Sequence, residues 1–297
     1  MEDKSRSVSR TVKIFKLLLK IAVTIACLWY VSSKINFTEL GQTLANTNWV
    51  FLATAFGVFI ISKIIASYRL NIYFRNISLY LKEKENLKLF WLGMFYNLFL
   101  PGSVTGDAYK VIVLSKQFSI SYRKTTTAVL LDRFSGLLGL GLILALYSFF
   151  TLDNKVYTAL FALAAFASVF ILYFIVRRYF TDFLPGFWPT FFLGLAVQSL
   201  MVICIYAIIY ALHIQNGQTE YVFIFLIAAV AGVLPLTVGG GLGIREFVFY
   251  KGAIYFGLNE HTAVIISLLF YCVTLVTSLF GAVFIFKKIF PDNQATK

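Results

Sequence analysis

Read for apolar and polar positions, the chain is a series of long apolar runs separated by short polar stretches. Runs of roughly the 20 residues that a helix needs to cross a bilayer fall near 14–33, 49–67, 126–150, 156–176, 189–212 and 262–286. Two further apolar regions, about 88–114 and 222–258, are each interrupted in the middle. The interruptions, Leu100-Pro-Gly-Ser-Val-Thr-Gly-Asp107 and Leu234-Pro-Leu-Thr-Val-Gly-Gly-Gly241, share the pattern Leu-Pro-x-(Ser/Thr)-Val-x-Gly. Paired Gly/Pro breaks in two halves of a membrane chain point to a substrate site at the interface between repeats. The pattern predicts an all-α polytopic membrane protein with about six full transmembrane helices plus two re-entrant broken hairpins in an inverted repeat. The alternative is that Pro101 and Pro235 only kink two ordinary crossing helices.

Composition agrees with a membrane chain: 60% of the residues are hydrophobic and 13% charged, outside the range of soluble domains. No Pro/Ser-rich linker or polar block divides residues 1–297, so a single integral membrane domain is expected. The formal net charge of +13 does not signal nucleic acid, because the basic residues lie between apolar spans and not on an aromatic-interleaved polar face.

The placement of those charges sets the topology. With both broken regions re-entrant and the N-terminus cytoplasmic, the outside keeps only Lys34, Lys155 and Lys251, and membrane segments hold Lys63, Arg133 and Arg245. The remaining 20 of the 26 Lys and Arg then fall on the cytoplasmic side. If both regions crossed instead, Lys110, Lys116, Arg123, Lys124, Arg177 and Arg178 would move outside. Lys and Arg are retained in cytoplasmic segments, which favours the re-entrant arrangement, with both termini cytoplasmic. The apolar segment before Ser32 is long and lacks an Ala-x-Ala site, so it is expected to be the first anchor and not a cleaved leader.

In that topology the hairpins enter from opposite faces and their tips meet within the membrane. Non-helical backbone at that depth must be covered by protein or line a polar cavity. The ionisable residues cluster where the cavity would be: Asp107 and Lys110 after the first tip, Arg245 and Glu246 after the second, and Asp132 with Arg133 in the 126–150 span. Charges in hydrocarbon are costly and normally pair facing the bundle interior. Asp107 and Lys110 have helical spacing for a local pair, and Asp132 with Arg133 reads equally as internal neutralisation or as a site. Arg245 and Glu246, adjacent on a helix, are expected to point apart and not simply to neutralise each other. Half-helices starting after Gly106 and after Gly239-Gly243 would aim their N-termini at the cavity, which attracts anions, and glycine lets backbone approach a guest closely. A phosphate or carboxylate headgroup is the expected guest.

The strings Asn97-Leu-Phe-Leu-Pro101, Gly106-Asp107-Ala-Tyr-Lys110, Asp132-Arg133 and Leu234-Pro235 through Gly239-Gly240-Gly241-Leu-Gly243-Ile-Arg245-Glu246 resemble the flippase-like membrane domain of bacterial lysylphosphatidylglycerol synthetase/flippases. The resemblance runs over roughly 10–290. It implies a multi-pass protein of the cell inner membrane that moves a lipid or lipid-linked headgroup between leaflets, with Asn97, Pro101, Gly106, Asp107, Lys110, Asp132, Arg133, Gly239, Gly240, Gly241, Arg245 and Glu246 as the substrate-binding set. Two positions depart from the family pattern. Asp132-Arg133 stands where Glu-Arg is expected, and Lys110 stands where Arg is usual, without the bidentate fork that suits phosphate. With the sequence ending at Lys297, this chain is expected not to lysinylate lipids itself.

Other chemistry finds little footing. His213 and His261 are far apart, near the outer ends of spans, so no metal site is expected. Cys27, Cys204 and Cys272 stand singly in apolar runs and read as packing residues. No nucleotide-binding loop occurs and no cofactor is expected. Energy would come from an ion gradient or a partner, with Asp107, Asp132 and Glu246 as candidate proton carriers. Two other readings stand beside transport: a membrane enzyme using Asp107 or Glu246 as base on a lipid phosphate or polyprenyl-phosphate sugar, and an accessory subunit of a lipid-modifying enzyme partner. Under the transport reading Arg245→Ala is expected to abolish leaflet exchange in proteoliposomes while preserving expression; normal exchange would remove Arg245 from the mechanism.

Overall fold

A computed structural model describes residues 25, 29, 45–100, 104–233, 241–287, 289 and 290. Among the described residues the α-helices are α1 (Trp49–Arg75), α2 (Glu83–Phe99), α3 (Thr105–Gln117), α4 (Tyr122–Thr151), α5 (Lys155–Tyr179), α6 (Phe187–Ala211), α7 (Gln218–Val233), α8 (Ile244–Phe256) and α9 (Glu260–Leu279). Short 3-10 turns over Thr181–Gly186 and Phe280–Phe284 lead into α6 and extend α9. Asparagine fixes the start of three long helices. The side chains of Asn48, Asn154 and Asn259 accept hydrogen bonds from the backbone N–H groups of Val50, Val156 and Thr262, closing donors that a helix start leaves open.

Five of the segments are long and apolar enough to cross a membrane: Trp49–Arg75, Tyr122–Thr151, Lys155–Tyr179, Thr181–Ala211 and Glu260–Phe284. They coincide with five of the six predicted crossings. The sixth, 14–33, lies outside the described residues except for Ile25 and Trp29, both helical and exposed. The chain is a polytopic all-α membrane protein. α5 runs along its edge, with Leu163, Phe166, Phe170 and Phe174 all exposed, as lipid-facing residues should be.

The two interrupted regions form pairs of short helices. α2 has 17 residues and α3 has 13; α7 has 16 and α8 has 13. At 1.5 Å per residue these reach about 26, 20, 24 and 20 Å. The members of each pair pack on each other, and both pairs touch α4 and α9. The Pro101, Gly239 and Gly240 positions of the breaks lie outside the described residues.

Two apolar cores occupy opposite ends of the bundle. One gathers Leu70, Phe74, Leu89, Leu114, Ala128, Val129, Phe183 and Phe187. The other gathers Ala55, Phe59, Leu144, Cys204, Ile208, Phe225, Phe249 and Ile266. Between them, at one level of α1, α4 and α6, runs a polar layer with Ser62, Lys63, Arg69, Asp132, Arg133, Ser135 and Gln198. Arg69, which the charge distribution assigned to a cytoplasmic segment, sits in this layer: α1 continues to Arg75, and Arg69 is buried.

Glycines set the close approaches. A Cβ on Gly106 would stand 1.9 Å from the carbonyl oxygen of Gly93, so α2 and α3 meet backbone to backbone, and a Cβ on Gly194 would stand 2.6 Å from the carbonyl oxygen of Ser135 between α6 and α4. Small residues at such contacts are how membrane helices gain packing without a hydrophobic driving force. Gly106→Ala is expected to destabilise the folded protein by at least about 1–3 kcal/mol, read as a lower unfolding temperature in detergent, whereas Gly57→Ala, in a helix interior with open space around its Cβ, does not lower it.

Candidate functional site

The polar layer opens into a cavity of about 330 Å³. Its wall takes Lys63, Ala66 and Arg69 from α1, Phe90 and Asn97 from α2, Arg133, Gly136, Leu137 and Leu140 from α4, Val197 and Gln198 from α6, and Gly232 and Val233 from α7. Asn97 closely precedes the first break and Gly232-Val233 immediately precedes the second, so both interrupted regions reach the same cavity. Three cations line it, and no carboxylate does among the described residues.

The carboxylates stand behind the wall, each already held. Asp132 accepts from Arg69 Nε at 2.7 Å. Asp107 is shared: Lys110 Nζ lies 2.9 Å from Oδ1, and Arg133 Nε lies 2.5 Å from Oδ2. The local Asp107–Lys110 pair follows the helical spacing. Asp132 and Arg133 do not pair with each other; they point to different neighbours, which ties α1 to α4 and α4 to α3. The sequence missed Arg69 because it lies beyond the most apolar part of its helix. It also passed over Lys63, although a lone lysine inside an apolar span was signal enough.

Neither Arg69 nor Lys63 is saturated by anions. Buried Nη1 of Arg69 has no hydrogen-bond partner. Lys63 Nζ has Met201 Sδ at 3.9 Å and the Phe59 ring at 4.4 Å, contacts that carry no negative charge. Gln198 is oriented by donating to the Gly136 carbonyl at 3.2 Å.

Helix starts after the breaks are capped from within the chain. The Gly106 N–H donates to Asn97 Oδ1 at 2.8 Å, so Asn97 closes the α3 terminus. At α8, the Gly243 N–H donates to Glu246 Oε2 at 2.7 Å, and Ser267 Oγ donates to Glu246 Oε1 at 2.9 Å. Gly243 has φ +89° and Gly241 φ +94°, a region that favours glycine. Contrary to the expected divergence, Arg245 Nε approaches Glu246 Oε1 at 3.6 Å. The Arg245 guanidinium also lies over Phe270 and Tyr271, at 5.2 and 5.4 Å, while its buried Nε and Nη2 make no hydrogen bond. This cluster of α8 and α9 is separate from the cavity wall.

A second, apolar groove of about 370 Å³ runs between α3 and α4, lined by Val104, Ala108, Val111, Ile112, Thr126, Val129 and Leu130 together with Asp107 and Arg133. Val104, Ile112 and Leu130 are exposed on it, so it is an apolar groove open at the protein surface. Arg133 lines both spaces.

A family model described as the lysylphosphatidylglycerol synthase TM region matches residues 17–281. The chain belongs to that family. It is accordingly a multi-pass membrane protein linked to lipid biology, and the match covers both interrupted regions and the cavity. No curated protein matches the chain.

Breaking the Arg69–Asp132 pair from one side leaves a buried charge. Asp132→Leu is expected to cost about 3–5 kcal/mol of stability, and Arg69→Met combined with Asp132→Leu to recover most of it, measured by unfolding of the purified variants in one detergent. Additive losses would mean that the pair is not coupled.

Proposed function

We propose that the protein moves a lipid with an anionic headgroup between leaflets, the headgroup passing through the basic cavity while its chains stay in the bilayer. The observation that carries this reading is a cation-lined cavity at mid-height of an apolar bundle, joined through Arg133 to an apolar groove open at the protein surface. Intramembrane charges that face an interior space mark substrate pathways, and Lys63, Arg69 and Arg133 suit phosphate.

The interrupted regions act as re-entrant hairpins in an inverted repeat. Matched helix lengths, each under the roughly 30 Å of a hydrocarbon core, support that reading, as does the meeting of residues next to both breaks at one cavity. The charge bias along the chain supports a cytoplasmic-membrane location with both termini inside. Asp107, Lys110 and Asp132 position the cations, and the Gly-rich second break with Arg245 and Glu246 shapes the opposite half. A lipid-modifying enzyme would supply or consume the lipid.

Reconstituted protein is expected to exchange labelled phosphatidylglycerol between leaflets. Lys63→Ala and Arg133→Ala should slow exchange at least tenfold with folding preserved, while Lys155→Ala at the exposed start of α5 should not. Wild-type rates in both cavity variants would overturn the reading.

A further inference from the structure

Resting on the transport reading, the charge arrangement around the cavity narrows its substrate. We infer that this cavity selects lipids whose headgroup bears phosphate and no amine, and so discriminates against aminoacylated and ethanolamine lipids. A site for a lysylated headgroup has to supply a carboxylate for each ammonium it takes out of water, because an unpaired buried cation is costly.

Among the described residues this cavity supplies none. Lys63, Arg69 and Arg133 form its charged wall. The nearest carboxylates, Asp132 and Asp107, are held by Arg69 in one case and by Lys110 and Arg133 in the other. Glu246 is fully buried and committed to Gly243 and Ser267.

The demand is for negative charge. Arg69 Nη1 is buried beside the cavity without a partner, and Lys63 has a thioether and an aromatic ring where an anion would stand. A phosphate between them satisfies both. A headgroup ammonium entering the same space meets three like charges. The neutral part of the headgroup is matched by the amides of Asn97 and Gln198, which hydrogen-bond hydroxyl groups as readily as water does. A hydroxylated phosphodiester such as phosphatidylglycerol fits on every count. The family's lysylated namesake fits only at its phosphate.

The test separates selectivity from transport by reading binding alone. Purified full-length protein is offered an equimolar mixture of phosphatidylglycerol, lysyl-phosphatidylglycerol and phosphatidylethanolamine, and retained lipids are counted by native mass spectrometry. Phosphatidylglycerol is expected to be retained at least tenfold over either amine lipid. Lys63→Gln should lower that preference several-fold, and Lys63→Glu, which places a carboxylate in the wall, should shift it toward the lysylated lipid. Equal or greater retention of the amine lipids by the wild type overturns the inference while leaving transport standing. An anionic preference unchanged in both Lys63 variants, with their folding checked by unfolding temperature, also overturns it, since the selection would then lie elsewhere. Failure of the transport reading appears separately, as absent leaflet exchange in liposomes.

Discussion

Burying charge at mid-height of an apolar bundle is the constraint on which the rest of this structure depends. Two well-packed hydrophobic cores could have merged into one, as in an ordinary helical bundle. They are held apart by a layer in which α1, α4 and α6 carry arginine, aspartate, lysine and glutamine at the same level. Such a layer is tolerated where its charges pair across helices, as those of Arg69, Asp132 and Arg133 do, while Lys63 meets a thioether and an aromatic ring. Arg69–Asp132 joins α1 to α4, and Asp107 joins α3 to α4 through Arg133. The same interactions that make the layer tolerable also fix which helices stand next to each other, so the electrostatics and the topology are one arrangement.

Much of this was legible in the sequence. Apolar runs of bilayer length gave the long helices, because in hydrocarbon the length and composition of a run decide its structure with little help from tertiary context. The repeated Leu-Pro-x-(Ser/Thr)-Val-x-Gly breaks marked where short helices would replace long ones, and α2 with α3 and α7 with α8 are those helices. Asp107, Asp132 and Arg133 stood out as charges in apolar surroundings.

The local Asp107–Lys110 pair could be read from helical spacing, whereas pairing between helices could not. Asp132 and Arg133 read equally as internal neutralisation or as a site; side chains one residue apart leave a helix about 100° apart, and each has its partner on another helix. Arg69 was hidden because its helix runs about two turns past the apolar run, and hydropathy cannot tell an interior arginine from a cytoplasmic one there. Glu246 shows the opposite case. A carboxylate beside a glycine-rich break reads as substrate chemistry, yet its oxygens close the start of α8 and bind Ser267. Local capping and long-range recognition draw on the same residue types, and only the three-dimensional neighbours separate them.

The two guanidiniums of the cavity wall differ in how firmly they are tied. Arg69 and Asp132 are bound one to one among the described residues, so drawing Arg69 toward a guest would strip a buried carboxylate of that partner. Asp107 has two bases, Lys110 on one oxygen and Arg133 on the other. Were Arg133 to turn from Asp107 toward a phosphate, Lys110 would still stand against that carboxylate. Of the two arginines in the wall, the one shared between the cavity and the apolar groove is therefore also the one whose carboxylate has a second base.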